Sequence, residues 1–240
     1  VDYFSSLLNS SPEKDPGYHI PISFHPDTYD YPLQKQRKLP RINSAFFCGA
    51  FDADTYRPLR NNSFFQTTDR MRLLSLLNSK FGTCTPESFD ELAEHMNKSR
   101  GREIIIIQSQ KYCLPQELLI HTLSAFDFFI AFPGAHMPLS HNLTEALFCE
   151  TIPIIQKSYA NLLSPVLVHR KTALVFDSEK EIHSLLTYAF DITQEEKENM
   201  RSHIRSYYQN HLEPHRVVEK ILSAHAHNQP VYLLGSKNSE

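Results

Sequence analysis

The sequence predicts an α/β protein built on a doubly wound, Rossmann-like parallel sheet, and three observations carry that reading. Short continuous apolar runs stand at 128–132 and 152–155, on either side of a helix-like segment over 142–149. Strands of a parallel sheet are buried on both faces, so they read as unbroken apolar runs rather than as alternations. The stretch Glu103-Ile-Ile-Ile-Ile-Gln108 is β-branched through its centre, which suits a central strand. Strand-like and helix-like segments then alternate along most of the chain, the pattern of successive βαβ units.

Taken in order, residues 1–40 hold Pro12, Pro16, Pro21, Pro26, Pro32 and Pro40, which interrupt any long periodic element. They read as a short helix at 3–8 and then an extended linker with a short strand within 18–26. A buried strand follows over 42–50, ending near Gly49, with a loop over 51–66. Thr68 is the expected N-cap of a helix whose apolar face is Met71, Leu73, Leu74, Leu76 and Leu77. A second helix is expected over 86–97, capped by Thr85, and a third over 115–125. Pro115 can open that third helix because its first position needs no amide donor. Past the central unit come a short strand at 173–176 and a helix capped by Ser178 and running to 190. Thr193-Gln-Glu-Glu196 is a capping-box signature for a helix reaching His211, and Pro214 precedes a last helix over 217–226. The tail from 229 to 240 reads as loosely ordered with one apolar patch at 231–234. The divisions are thus a linker over 1–40, a nucleotide-binding domain over 41–228, and the tail.

Composition narrows the function classes. At 240 residues, 41% hydrophobic and 21% charged, the chain is neither disordered nor of membrane-spanning composition, and no apolar run approaches the roughly 20 residues that cross a bilayer. A net charge of −3 disfavours nucleic acid as the main partner. Four scattered cysteines without a Cys-x-x-Cys pair read as reduced thiols. Asn-x-Ser/Thr acceptors occur at Asn9, Asn61, Asn97 and Asn142. A glycan on Asn142 would obstruct the ligand loop described next, which favours a cytoplasmic location. The chain begins at Val1 rather than Met, read as the loss of an amino-terminal portion. There is no Gly-x-Gly-x-x-Gly loop, Walker A sequence or Gly-x-Ser-x-Gly elbow. No metal ligand is assigned, since no His, Cys and Asp cluster stands at metal-ligand spacing.

Residues 126–156 form the strand, loop, helix, strand unit around which the rest is arranged. In open α/β sheets the loop after a strand and the first turn of the next helix face the crevice where ligands bind. That places Gly134, His136, Ser140, His141, Asn142 and Glu145 at the candidate site. Backbone amides at the helix start suit a diphosphate, being unsatisfied and at the positive end of the helix dipole. Gly49 and Gly134 would let backbone approach phosphate.

The stretch FPGAHMPLSHNLTEALFCETIPII also resembles the nucleotide-sugar half of GT-B glycosyltransferases, especially bacterial surface-polysaccharide enzymes and more distantly the exostosin and fucosyltransferase groups. Glu145-Ala146-Leu147 and Thr151-Ile152-Pro153-Ile154-Ile155 fill that family's Glu-Ala helix and Ile-Pro-Ile strand. The sequence departs at Glu150, where the family often has Gly, and at Met137, where many retaining members carry a second Glu. The resemblance implies a GT-B donor domain that transfers sugar from a nucleotide-sugar donor to a glycan or lipid-linked acceptor. It also implies an acceptor-side domain missing from this chain and room for peripheral membrane association, while metal-independent chemistry without a cofactor is expected on the reading that no Asp-x-Asp pair grips a metal-bound diphosphate. On it, Glu145 clasps the ribose, Ser140 and Asn142 hold phosphate or sugar hydroxyls, and His136 and His141 can donate to phosphate. Of Arg57, Arg60, Arg70 and Lys111 at the carboxyl edge, Arg57 and Lys111 are preferred to neutralise the leaving diphosphate, and His25 is the candidate general base. The rivals are a non-catalytic module on the same fold and another nucleotide- or phosphate-binding α/β enzyme. The ribose role requires that the Glu145 carboxylate face an open cleft.

Overall fold

The computed structural model describes residues 17–24, 40–60, 66–98, 101–134 and 139–233. Within them the strands are β1 (Tyr18–Ile20), β2 (Ile42–Gly49), β3 (Ile104–Gln108), β4 (Phe126–Ile130), β5 (Ile152–Gln156), β6 (Leu174–Phe176) and β7 (Val231–Leu233). The helices are α1 (Ala53–Arg60), α2 (Arg70–Lys80), α3 (Phe89–Lys98), α4 (Gln116–Ala125), α5 (His141–Phe148), α6 (Lys157–Ala160), α7 (Ile182–Asp191), α8 (Gln194–His211) and α9 (Pro214–Ala226). None of them is long and apolar enough to cross a membrane.

Five strands form one parallel sheet in the order β3-β2-β4-β5-β6. Counted from β2, that is 2-1-3-4-5, a doubly wound order in which the chain first builds outward and then reverses between β2 and β4. The crevice beyond the carboxyl ends of these two strands is the switch point at which such sheets bind ligands. The strands form where the apolar runs predicted them because their residues are enclosed on both faces; Ile104, Ile105, Ile106 and Ile107 of β3 are all buried. Aromatic rings fill the centre: Phe46 stacks on Phe126 at 5.1 Å, and Phe132 packs between Phe47 and Phe51.

The amino edge of the sheet is held by buried charge. Asp127 accepts from Lys197 Nζ at 2.6 Å and from Arg201, while Lys197 also donates to Asn43 at 2.7 Å. Arg41 donates to the carbonyls of Phe126 and Cys149 and to Thr151 Oγ1. Together these bonds tie α8 and the start of β2 to the bottom of β4. A separate small sheet pairs β1 with β7 in parallel, Tyr18 opposite Val231 and Ile20 opposite Leu233.

Several boundaries differ from the sequence reading. The expected loop over 51–66 contains α1, started by Asp52, whose Oδ1 accepts from Thr55 N at 2.7 Å and Thr55 Oγ1 at 2.6 Å. Asp69, not Thr68, caps α2 by accepting from Arg72 N at 3.0 Å. Helix α3 starts at Phe89, Pro115 is the N-cap of α4 rather than its first residue, and Glu181 rather than Ser178 precedes α7. The tail contributes β7 instead of remaining loose over 231–233. The capping box at Thr193 and Glu196 is complete, and α8 ends at His211. The helix expected at 3–8 lies outside the described residues.

Candidate functional site

Helix α2 begins at Arg70, and this first residue turns its side chain inward across the switch point. Arg70 is 5% exposed. Its Nε donates to Pro133 O, beyond β4, at 3.0 Å, and its Nη1 to Ala50 O, beyond β2, at 2.7 Å. The guanidinium thus spans the two loops that define the crevice, and neither bond uses Nη2. Its Cζ lies over three rings, at 4.3 Å from the centroid of Tyr56, 4.9 Å from Phe47 and 5.7 Å from Phe51. Burial pushes its pKa down. Among the described residues, the groups that oppose this are Tyr56, Tyr159 and Cys48 rather than a carboxylate. A buried cation is costly unless paired; ring faces and carbonyl dipoles offset part of that cost, and an anion in the crevice would offset more.

The first turn of α5 stands beside this cation. Asn142 Nδ2 donates to Cys48 O at 2.6 Å, pinning the helix start to the end of β2. Ser140 precedes α5 without capping it through its side chain. Its N–H instead donates to the hydroxyl of Tyr159 at 3.1 Å, and its Oγ lies 3.3 Å from the same atom. Tyr159 is wholly buried, which pushes its hydroxyl up to about 12 and keeps it neutral. On the outer side, His141 Nδ1 donates to Ser23 O at 2.7 Å and Thr144 Oγ1 to Ile22 O at 2.9 Å. The segment after β1 therefore holds the same turn from outside.

The structure brings Gly49, Ser140, His141 and Asn142 together and corrects other expectations. Glu145 has no exposed surface, so in this conformation it does not face an open cleft as a ribose clasp must. The reason is tertiary. Helix α5 packs against α4, α8 and β5, and every residue from Leu143 to Phe148 is buried. The Glu145 charge is felt at Cys48, whose thiol is pushed up to about 12 by burial first, then by Cys113 and Glu145. Gly49 serves packing: a Cβ there would meet the Phe47 ring at 2.8 Å and Arg70 Nη1 at 3.1 Å. Lys111 sits past the outermost strand, β3, in an ion pair with Glu87 at 2.6 Å, not at the switch point. Gly134 is half-buried just beyond Pro133. His25 and His136 lie outside the described residues, as does the side chain of Arg57.

Two features have weak signals in the sequence. Arg70 is one of four cations at the carboxyl edge, and only its place at a helix start soon after a strand end distinguishes it from the preferred Arg57 and Lys111. The expectation of metal-independent chemistry takes the chain to lack an Asp-x-Asp, but it carries one, Asp52-Ala53-Asp54. Asp52 is occupied there by Thr55, whose hydroxyl and amide hold its carboxyl below the usual carboxylate range. On the other flank of α5, a small pocket of about 20 Å³ is walled by Ile22, Leu139, Leu143, Leu163, Tyr207 and Leu212 among others. Its lining is mostly apolar and suits no diphosphate, so the chemistry favours the Arg70 crevice.

No family model matches the sequence, and no curated protein matches it. Among solved structures, the fold is similar to the C-terminal domain of a glycosyl transferase group 1 family protein (LpcC) from Francisella tularensis. The two share 13% identity at a TM-score of 0.43, over 75% of this chain and 94% of that one.

Proposed function

We propose that this chain is the donor half of a metal-independent, cytoplasmic glycosyltransferase, binding the diphosphate of a nucleotide sugar at the crevice between β2 and β4. The observation that supports this best is Arg70, a buried guanidinium at the switch point with carbonyl and ring contacts and, among the described residues, no carboxylate in the set of groups that steady its charge. The resemblance of residues 132–155 to GT-B donor sites supports the same location. As the glycosidic bond breaks, negative charge grows on the departing diphosphate. A preorganised cation and first-turn amides act on that charge without reorganising. The acceptor is a glycan or a lipid-linked glycan, which fits a peripheral place at a membrane, and the general base comes from the acceptor side. His25 remains the candidate on this chain.

A second reading has one observation in its favour. With Glu145 enclosed, the pentose has no assigned acid, which suits a module that binds a nucleotide or phosphate without sugar transfer. Calorimetry with uridine, guanosine, cytidine and thymidine diphosphate sugars, against inorganic pyrophosphate, tests both. Arg70→Met should weaken sugar-nucleotide binding roughly 10- to 150-fold, the equivalent of one charge-assisted bond of about 1.5–3 kcal/mol, with Arg70→Lys recovering part of it. Circular dichroism on each variant checks that it folds. Unchanged affinity in folded Arg70→Met would remove the crevice as the site. Binding without any detectable sugar-nucleotide hydrolysis or transfer would favour the second reading.

A further inference from the structure

At the opposite end of the sheet, three potential metal ligands converge from three different elements. Cys84 lies between α2 and α3, where its backbone forms a one-residue parallel bridge on the outer side of β3. Its N–H donates to Ile104 O at 2.9 Å, and Ile106 N–H donates to Cys84 O at 2.9 Å. His95 is carried by α3, which Leu92 anchors with no exposed surface. Glu103 immediately precedes β3, and its N–H is fixed on Ser44 Oγ at 3.1 Å. A ligand atom from each of Cys84, His95 and Glu103 lies within 4.8 Å of the others, and all three residues are half-buried. The Glu103 Oε2 is buried with no hydrogen-bond partner among the described residues. Lys98, which borders the same hollow, is already held by Glu94 at 2.6 Å.

We propose that Cys84, His95 and Glu103 bind a thiophilic divalent metal ion, zinc being the best match, with water in the fourth position. The sulfur, nitrogen and oxygen donors are those zinc takes, at about 2.3, 2.0–2.1 and 2.0–2.2 Å respectively. Bonds of that length set tetrahedral ligand atoms roughly 3.3–3.8 Å apart, so side-chain rotations that bring them at most about 1–1.5 Å closer would close the present triangle around an ion. The ion would satisfy the buried oxygen of Glu103 and join the free flank of β3 to α3 through the Cys84 bridge. Glu103 stands at the amino end of β3, whereas Arg70 closes the carboxyl ends of β2 and β4. This metal therefore clamps the sheet edge and does not touch the diphosphate site, and the proposal stands apart from the function above.

Chelator-stripped protein titrated with Co²⁺ alone tests it, because a thiolate bound to Co²⁺ gives a near-ultraviolet charge-transfer band and tetrahedral geometry gives intense visible bands. The expected result is both signals saturating at a single equivalent, Zn²⁺ displacing them, and Zn²⁺ raising the melting temperature. Cys84→Ser should abolish the charge-transfer band. His95→Gln and Glu103→Gln should each weaken Co²⁺ binding by at least the roughly 10- to 100-fold that even an outer-sphere partner is worth. The last two variants keep the test decisive if Cys84→Ser does not fold. Absence of the band, its persistence in Cys84→Ser, or unchanged affinity in the other two variants would overturn the site.

Discussion

Substituting Asp127 by Asn removes the negative charge against which two buried cations are set, at the edge of the sheet away from the crevice. The side chains of Asp127, Lys197 and Arg201 are 4%, 6% and 3% exposed, so water can replace little of what is lost. Breaking such a pair leaves an uncompensated buried charge at about 3–5 kcal/mol. Asn43 still accepts from Lys197, and Glu198 from Arg201, which places the expected loss near the middle, about 4 kcal/mol. With a urea m-value of about 3 kcal/mol/M for a chain of this size, the midpoint should fall by about 1.3 M. The chain has no Trp, so far-ultraviolet circular dichroism is the practical probe. Lys197→Met should cost clearly less in the Asp127→Asn background than in the parent, since the two residues share one network. A midpoint shift under about 0.3 M at constant m would mean that these charges keep their hydration, and the account of the amino edge would fail.

Four further outcomes are expected. Glu145→Gln should leave nucleotide-sugar affinity unchanged by calorimetry, because the carboxylate is enclosed; a tenfold loss would restore its role as a ribose clasp. Glu150 holds a left-handed φ of 58° just past α5 and forms two bonds to Arg205, at 2.7 and 2.6 Å; once Arg205→Ala has removed those bonds, Glu150→Gly should stabilise the fold by about 1 kcal/mol in urea melts, and a loss would argue against strain there. Burial first, then Arg170, depress the His169 pKa, and protonation of Nδ1 would end its acceptance of Val175 N–H at 3.0 Å. The unfolded chain therefore binds the proton more readily, so stability should decline as pH falls through and below about 6.5, and His169→Gln should flatten that slope. A thiol reagent at pH 8 should modify exposed Cys113 quickly, and Cys48 and buried Cys149 only as the chain unfolds; fast reaction at Cys48 would contradict its placement under α5.

What could be read from the sequence was what local pattern determines. Unbroken apolar runs located β3, β4 and β5, and the Thr193–Glu196 box marked both the start and the hydrogen bonding of α8. The departure at Glu150 also has a local explanation: the residue sits in the backbone conformation that glycine tolerates best, and Glu keeps the place through Arg205. Misreadings arose where tertiary cover decides. Nothing in Thr-Glu-Ala tells that packing against α4, α8 and β5 will enclose the second turn of α5, so Glu145 reads as an acid facing the crevice. Arg70 resembled any cation near a loop until the fold set its side chain between two carbonyls and three rings. Cys84, His95 and Glu103 follow no motif because a loop, a helix and a strand supply them separately. Helix α1 was hidden by Pro58 and by a run too short to show periodicity.

The ladder between β1 and β7 makes the far end of the described chain a participant at the start of α5. Residues 231–233 hold β1, His19 stacks on Tyr232 at 4.8 Å, and the carbonyls just beyond β1 receive Thr144 and His141. Whatever competes for that last strand, a protease or an added edge, must slacken the grip on the helix opening. Linkage is reciprocal: whatever free energy the strand pair lends to an anion at that opening is returned to the strand pair when the anion settles, and amide exchange at Tyr232, with and without the anion, measures it.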